Sequence, residues 1–297
     1  MEEQQTQSKV FLWGMILSMT CWGFSWTAGK ILTGYGDPLI ISCIRFGCTF
    51  LSLIPILPLL KTRFVIDRKG LFDLAMAALM ISVYTFLFFK GLVTGKAGAG
   101  GVLVTVLNPI VSYAIMLIIT RRRPMRNETL GLLLGLIAGI VLTRILTEPE
   151  RILNAGNLYF LCASLSWAIL SLFTARSSRY GEPLAFSFYM YLLSTVIMVI
   201  AGGVGPLLET IRHGDTRFWL NMFFSSTITT ALATTFYFMA TARIGASRAS
   251  SFIFLVPFSA AIGSWMFLSE TPEWHTIAGG ILGVAAVFVL NRKPKIA

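Results

Sequence analysis

The chain has 297 residues, 56% of them hydrophobic and only 12% charged, with a mean hydropathy of +0.76. A soluble domain of this length needs far more polar surface, so the composition excludes one and indicates a protein embedded in lipid. The net charge of +11 does not indicate nucleic-acid binding, because the basic residues fall in short clusters between apolar runs, as cytoplasmic loops do, rather than along one face.

A spanning helix takes about 20 mostly apolar residues. By that measure the chain divides into ten runs: Val10 to Leu32, Pro38 to Leu60, Gly70 to Leu92, Ala97 to Thr120, Thr129 to Leu146, Gly156 to Ala175, Leu184 to Val204, Phe218 to Ala240, Arg248 to Leu268 and Trp274 to Leu290. The first run is too long for a signal-peptide core and lacks a small-residue cleavage site, so it is expected to stay in the mature protein. Connections are short and leave no room for a soluble domain. The cysteines Cys21, Cys43, Cys48 and Cys162 lie inside apolar runs, form no CxxC pair and have no histidine nearby, so they read as small buried hydrophobes rather than metal ligands or disulfides.

Lysine and arginine are distributed unevenly between the two sets of span ends. About sixteen fall on the side of both termini, from Lys9 through the clusters at 61–69 and 121–126 to Lys295, against about seven on the other. Both termini are therefore expected in the cytoplasm.

The chain reads as one unit written twice. FFKGLVTGKAGAGGVLVTVLNPIVSYAIMLIITRRRP, from Phe88 to Pro124, is matched about 148 residues later by FYFMATARIGASRASSFIFLVPFSAAIGSWMFLSETP, from Phe236 to Pro272. YGDPLIIS at Tyr35 to Ser42 is matched by YGEPLAFS at Tyr180 to Ser187, and Trp22 falls on Trp167. Gly131, Gly135, Leu142 and Arg144 fall on Gly279, Gly283, Leu290 and Arg292. The expected fold is all-α and polytopic, with ten transmembrane helices in two five-helix repeats, residues 1–147 and 148–297. An odd number of spans per unit inverts the second, a construction that places a shared site at the midplane.

Candidate site residues follow from what is costly inside a membrane. Pro109 and Pro257 fall near the centres of their spans and weaken the hydrogen bonding to Thr105 and Ile253, shaping either a site or a packing kink; Asn108 stands beside the first. The small-residue runs GKAGAGG and GASRASS suit close helix packing or a hairpin entering a helix, and the glycines at four-residue spacing suit contact between the fifth and tenth spans, within one chain or across a dimer. Trp22, Trp26 and Trp167 lie near mid-span rather than at the interfaces, so each indole N–H needs an internal partner, a cavity or a ligand. Tyr84, Phe88, Tyr113, Tyr189 and Tyr237 extend the same lining or simply pack. Arg45 lies about two turns inside the second span, with a buried partner or a substrate as its counter-charge; Lys30 and Lys90 lie near span ends and snorkel to the headgroups or reach the cavity. No acid lies deep in a span, so a coupling proton has no mid-membrane carboxylate to ride on. Zinc-protease, phosphate-loop and serine-elbow motifs are absent, and with them any support for an enzyme, a primary pump or a cofactor.

The segments CWGFSWTAGKIL, DPLIISCIRF and TARIGASRASSFIFLVPFSAAIGSWMFLSETP resemble the paired EamA-type repeats of the drug/metabolite transporter superfamily, over about Lys9 to Arg292. The resemblance implies a ten-helix inner-membrane transporter of two inverted repeats, typically exporting amino acids or other small metabolites. Its cavity would be lined by spans one, three, four, six, eight and nine. Carried onto this chain, it points to Trp22, Ser25, Trp26, Tyr84, Phe88, Asn108, Trp167, Ser171, Tyr237 and Ser251, with Pro109 and Pro257 shaping the helices. GAGG departs from the more polar pattern of the second unit. The expected partners are a small-molecule substrate and the bilayer, with monomer and homodimer both open; uptake or exchange of an anionic metabolite, and a non-transporting scaffold or sensor, are the other readings.

Overall fold

The computed structural model describes residues 2–121, 123–150, 156–237, 239 and 252–290, with side chains from Leu12 onward. The helices are α1 (Glu2–Leu32), α2 (Pro38–Leu59), α3 (Leu71–Thr94), α4 (Ala97–Thr120), α5 (Arg126–Thr143), α6 (Asn157–Thr174), α7 (Pro183–Gly202), α8 (Val204–His213), α9 (Thr216–Phe223), α10 (Leu255–Leu268) and α11 (Trp274–Leu290). Every apolar run of the sequence contains helix. Six helices, α2 to α7, are long and apolar enough to cross a membrane, while α10 and α11 are apolar but shorter. Among the described residues the one β feature is the isolated bridge between Ile66 and Gly181.

The sequence places these helix ends. Asp37 accepts the N–H of Leu39 ahead of Pro38, whose missing donor costs nothing at a helix start. Gly156, at φ +72°, begins α6 where a β-carbon would lie 2.4 Å from the Gly91 carbonyl oxygen, so glycine is required both for the turn and for the approach. The bundle exterior is apolar: Leu133, Leu136 and Ile137 on α5, Ile118 and Ile119 on α4, and Trp265, Met266 and Phe267 on α10 are all exposed. A surface of that kind is compatible with hydrocarbon and not with water.

Two helices differ from the sequence expectation. Helix α8 falls between two apolar runs of the sequence; its apolar residues at 204, 207, 208 and 211 have helical spacing, and Leu207 and Ile211 pack on the bundle while no residue is fully buried. Helix α10 opens as a 3-10 turn at Phe252–Phe254, so Pro257 occupies its first turn rather than a helix centre. There its absent N–H is one of the donors a helix start leaves unpaired, and the 3-10 winding relieves the crowding at Ile253. Pro109, by contrast, stands inside the continuous α4. Cys162 differs too: it is exposed on α6 beside Leu158 and Leu165, on the outward apolar face.

Helix α5 packs on α11, α2 on α7, α1 on α10, α3 on α6, and α4 on both α6 and α10. Glycines make these approaches possible. A β-carbon on Gly23 would lie 2.3 Å from Ser259 Cβ and 2.7 Å from the Ala260 nitrogen, and one on Gly131 would lie 2.9 Å from the Leu290 nitrogen. Gly279 in turn faces Leu142, where a β-carbon would come within 2.5 Å of Cγ. The repeated glycines therefore join α5 and α11 within one chain.

Each end of the bundle is tied across distant segments. At one end, Tyr35 donates to Asp215 Oδ1 at 2.9 Å, Lys96 pairs with Glu273 at 2.7 Å, and the Gly98 N–H donates to Glu270. At the other, the Asp67 N–H donates to the Tyr180 carbonyl at 2.7 Å, Tyr189 donates to the Phe64 carbonyl, and Arg176 pairs with Asp73 at 3.2 Å. Asp73, the acid one turn into α3, is buried, and its Oδ2 lacks a complete hydrogen bond although the Tyr180 phenol leans toward the carboxylate and is pushed up by it. Tyr189 is thus engaged at the bundle end and lines no central space.

Two predictions follow from this packing. Gly23→Ala and Gly131→Ala each meet backbone and should destabilise by about 1–3 kcal/mol, whereas Gly47→Ala, whose β-carbon has nothing closer than Thr195 Cγ2 at 3.7 Å, should be neutral or stabilising; thermal unfolding in detergent reads all three. The Phe218 N–H, then the Tyr35 hydroxyl, hold the Asp215 carboxyl below its usual 3.8. A lowered carboxyl stabilises the fold above its unfolded pKa and loses that contribution as pH falls through the folded value. The Tm difference between the wild type and Asp215→Asn should therefore hold steady near neutrality and close as the medium is acidified below about pH 3.8.

Candidate functional site

The sequence-predicted residues fall into two neighbourhoods. In the first, α1, α2, α3, α6 and α9 meet. Trp26 is buried to 3% and stacks edge-on against Phe88 at 4.6 Å and Phe160 at 5.7 Å. Phe88 continues to Tyr84 at 6.2 Å, and Tyr84 to Trp167 at 4.8 Å. Ser171 turns back on its own helix, donating to the Trp167 carbonyl at 2.8 Å, and Ser25 does the same to the Trp22 carbonyl at 2.7 Å. Neither serine hydroxyl offers its proton to the interior; each retains acceptor capacity.

Trp22 lies one turn before Trp26 and contacts Tyr237 at 5.4 Å. Its indole N–H donates to the Thr229 carbonyl at 3.0 Å, so its internal partner is backbone rather than a ligand. That carbonyl belongs to a feature the sequence reading missed: α9 passes into a π-helix over Phe224–Ala233, FSSTITTALA. The wider winding loosens the regular ladder and lets hydroxyls bond five residues back, Thr230 Oγ1 to Ser225 O at 2.7 Å and Thr234 Oγ1 to Thr229 O at 3.4 Å. Helix α2 meets the same strip, with Ser52 sharing a 2.7 Å hydrogen bond with Thr227 and Thr49 reaching the Ser226 carbonyl at 3.4 Å. A run of seven hydroxyl residues within Ser225–Thr235 was the available signal, since such residues compete for helix carbonyls.

Arg45 stands in this strip. Its Nη2 donates to Thr230 Oγ1 at 3.2 Å, and its guanidinium carbon lies 5.5 Å from the Phe88 ring centre and 5.8 Å from that of Phe89. It remains partly accessible.

The second neighbourhood is a cavity of about 200 Å³ lined by Thr105, Val106, Pro109, Ile253, Phe254, Pro257, Gly283, Val284 and Val287. The two prolines are brought together on its wall from α4 and α10. Its lining is largely apolar; Asn108 lies on the same turn of α4 as Pro109, and its buried Oδ1 has no partner among the described residues. None of the predicted aromatic residues lines this cavity. Ser251 lies outside the described residues, as do Arg243 and Arg248.

Lys30 neither snorkels nor faces a cavity. Its ammonium donates to the carbonyls of Leu92 at 2.5 Å, Val93 at 3.3 Å and Gly95 at 2.9 Å, capping the end of α3 with all three donors. Lys90 is partly buried near that end. Among the described residues no group of three or more His, Cys, Asp and Glu is placed to hold a metal ion.

The profile of the EamA-like transporter family matches the chain twice, over residues 9–144 and 154–292. An uncharacterized transporter, YoaV of Bacillus subtilis (strain 168), is 22% identical over 283 residues, covering 95% of this chain and 96% of that protein. An uncharacterized transporter of Archaeoglobus fulgidus is 24% identical over 283 residues, covering 94% and 98%. A solved crystal structure superposes over 96% of both chains with a TM-score of 0.62 at 15% identity, a likeness of fold.

The lysine cap makes a prediction. Lys30→Met strips the charged donors from three carbonyls and should cost roughly 1.5–3 kcal/mol of stability, with Lys30→Arg losing less, both read by unfolding in detergent.

Proposed function

The chain belongs to the EamA-like transporter family, and on that premise we propose that it is a secondary transporter that exports a small organic metabolite across the inner membrane of a bacterium. Its family consists of transporters, not enzymes. The two halves, 1–147 and 148–297, form inverted five-helix repeats with both termini cytoplasmic, and rocking of one half against the other exposes a shared midplane site alternately to each side.

One observation carries this reading. Gly131 lies against Leu290 while Gly279 lies against Leu142, and each glycine and each leucine is 148 residues from its counterpart. The beginning of α5 meets the end of α11, and the beginning of α11 meets the end of α5, so the two run antiparallel. A two-fold axis in the membrane plane produces that exchange; a parallel duplication does not. The aromatic and hydroxyl-rich strip around Trp22, Trp26, Tyr84, Trp167 and the π-helix lies at mid-bundle, where such an axis puts a site.

Two measurements test it together. In a cysteine-free background, Asp37→Cys and Glu182→Cys mark equivalent loops, and an impermeant maleimide should reach the first from the periplasm and the second only after the membrane is opened. Labelling of both from one side would remove the inverted repeat. Proteoliposomes should show saturable solute flux that falls at least tenfold, about 1.4 kcal/mol, in Trp22→Ala and Trp167→Ala; flux indifferent to both would remove the site.

A further inference from the structure

We propose that Arg45 binds the carboxylate of the transported solute, and that the solute is a small organic monoacid with an apolar or aromatic body and no ammonium group. The inference rests on the transporter reading for the word transported, and on the surroundings of one guanidinium for the rest.

Arg45 is the eighth residue of α2, a helix apolar and long enough to span. A cation inside a spanning helix is costly and is kept where it has a partner or a function. Its neighbours do not supply a counter-charge. Thr230 accepts one hydrogen bond, two phenylalanine rings present their faces, and the ionisable groups nearest the guanidinium are the phenols of Tyr84 and Tyr191. Among the described residues no carboxylate pairs with it: the ion pairs of Asp73, Glu148 and Glu273 are made with other cations at the bundle ends. A guanidinium carries five donors in a planar fork that a carboxylate fills with two parallel bonds. Here one donor is engaged, the guanidinium is enclosed beside the Phe88 and Phe89 rings, and the phenols of Tyr84 and Tyr191 lie near it.

The same cluster limits what the anion is. It brings one cation, since Lys30 spends all three donors on α3, so it matches a single negative charge better than a phosphate dianion. With no acid beside Arg45, the ammonium of an amino acid would meet hydroxyls and ring faces but no counter-charge. The rings of Phe88, Tyr84 and Trp167 form a continuous apolar wall next to the guanidinium, suited to a hydrocarbon or phenyl body.

Phenylacetate, its neutral amide phenylacetamide and the zwitterion phenylalanine share one body and differ in charge. Binding to the purified full chain is read by calorimetry in detergent, and exchange by counterflow in proteoliposomes. Phenylacetate should bind at least tenfold more tightly than either comparator; Arg45→Gln should weaken it by about a hundredfold, Arg45→Lys by less, and Tyr84→Phe by a few fold. Equal binding of acid and amide by the wild type overturns the proposal, as does tighter binding of phenylalanine, or phenylacetate binding unchanged in Arg45→Gln. Because the wild-type comparison of acid with amide needs no variant, a misfolded Arg45→Gln leaves the test intact. Selective binding of phenylacetate without exchange supports the anion site and sinks the transporter reading; exchange indifferent to solute charge and to Arg45 does the reverse.

Discussion

A helix that crosses hydrocarbon has to return every backbone donor and acceptor to the protein itself, because no water is there to take them. Most of this chain obeys by regular α-winding, with serine and threonine hydroxyls folded back onto carbonyls three or four residues earlier. Where the winding changes, other groups take up the slack. The Trp22 indole holds the Thr229 carbonyl of the π-helix, Thr49 reaches the Ser226 carbonyl, and Lys30 closes the end of α3. These substitutions of side chain for backbone bring the mid-bundle polar groups together, and Arg45 is held among them.

The contrast between the two neighbourhoods follows from the same constraint. The cavity between Pro109 and Pro257 offers volume, but its lining is largely apolar. The strip along α1, α2 and α9 has polar groups but is packed with rings. Recognition of a solute needs both volume and oriented polar groups. Thr105 lines the open volume but donates its hydroxyl to the Gly101 carbonyl, while Asn108, on the turn that carries Pro109, has an amide oxygen without a partner among the described residues.

Much of the helix layout was legible in the sequence because its signals are local and strong: runs of about 20 apolar residues, a proline after Asp37 or Glu182, and glycines at four-residue spacing on α5 and α11. The glycines at four-residue spacing pointed to contact between the fifth and tenth spans, though not to which residues would touch or to the contact lying within one chain. What was not legible depends on partners far away. Lys30 looks like a snorkelling lysine until the end of α3, more than 60 residues on, arrives beside it. Trp22 looks like a ligand-facing indole until the π-helix supplies its acceptor. Pro257 looks central in an apolar run because a run does not record where a 3-10 turn gives way to an α-helix.

The lysine cap has a mechanical meaning. It fastens the last turn of α1 to the last turn of α3, and parting them would leave an ammonium and three carbonyls stripped of each other in a half-buried place. Around Gly23, α1 lies so close to α10 that no atom fits between. Helix α1 is therefore held at one end by charge and in its middle by shape, which leaves it free to pivot about the glycine only if α3 swings with it.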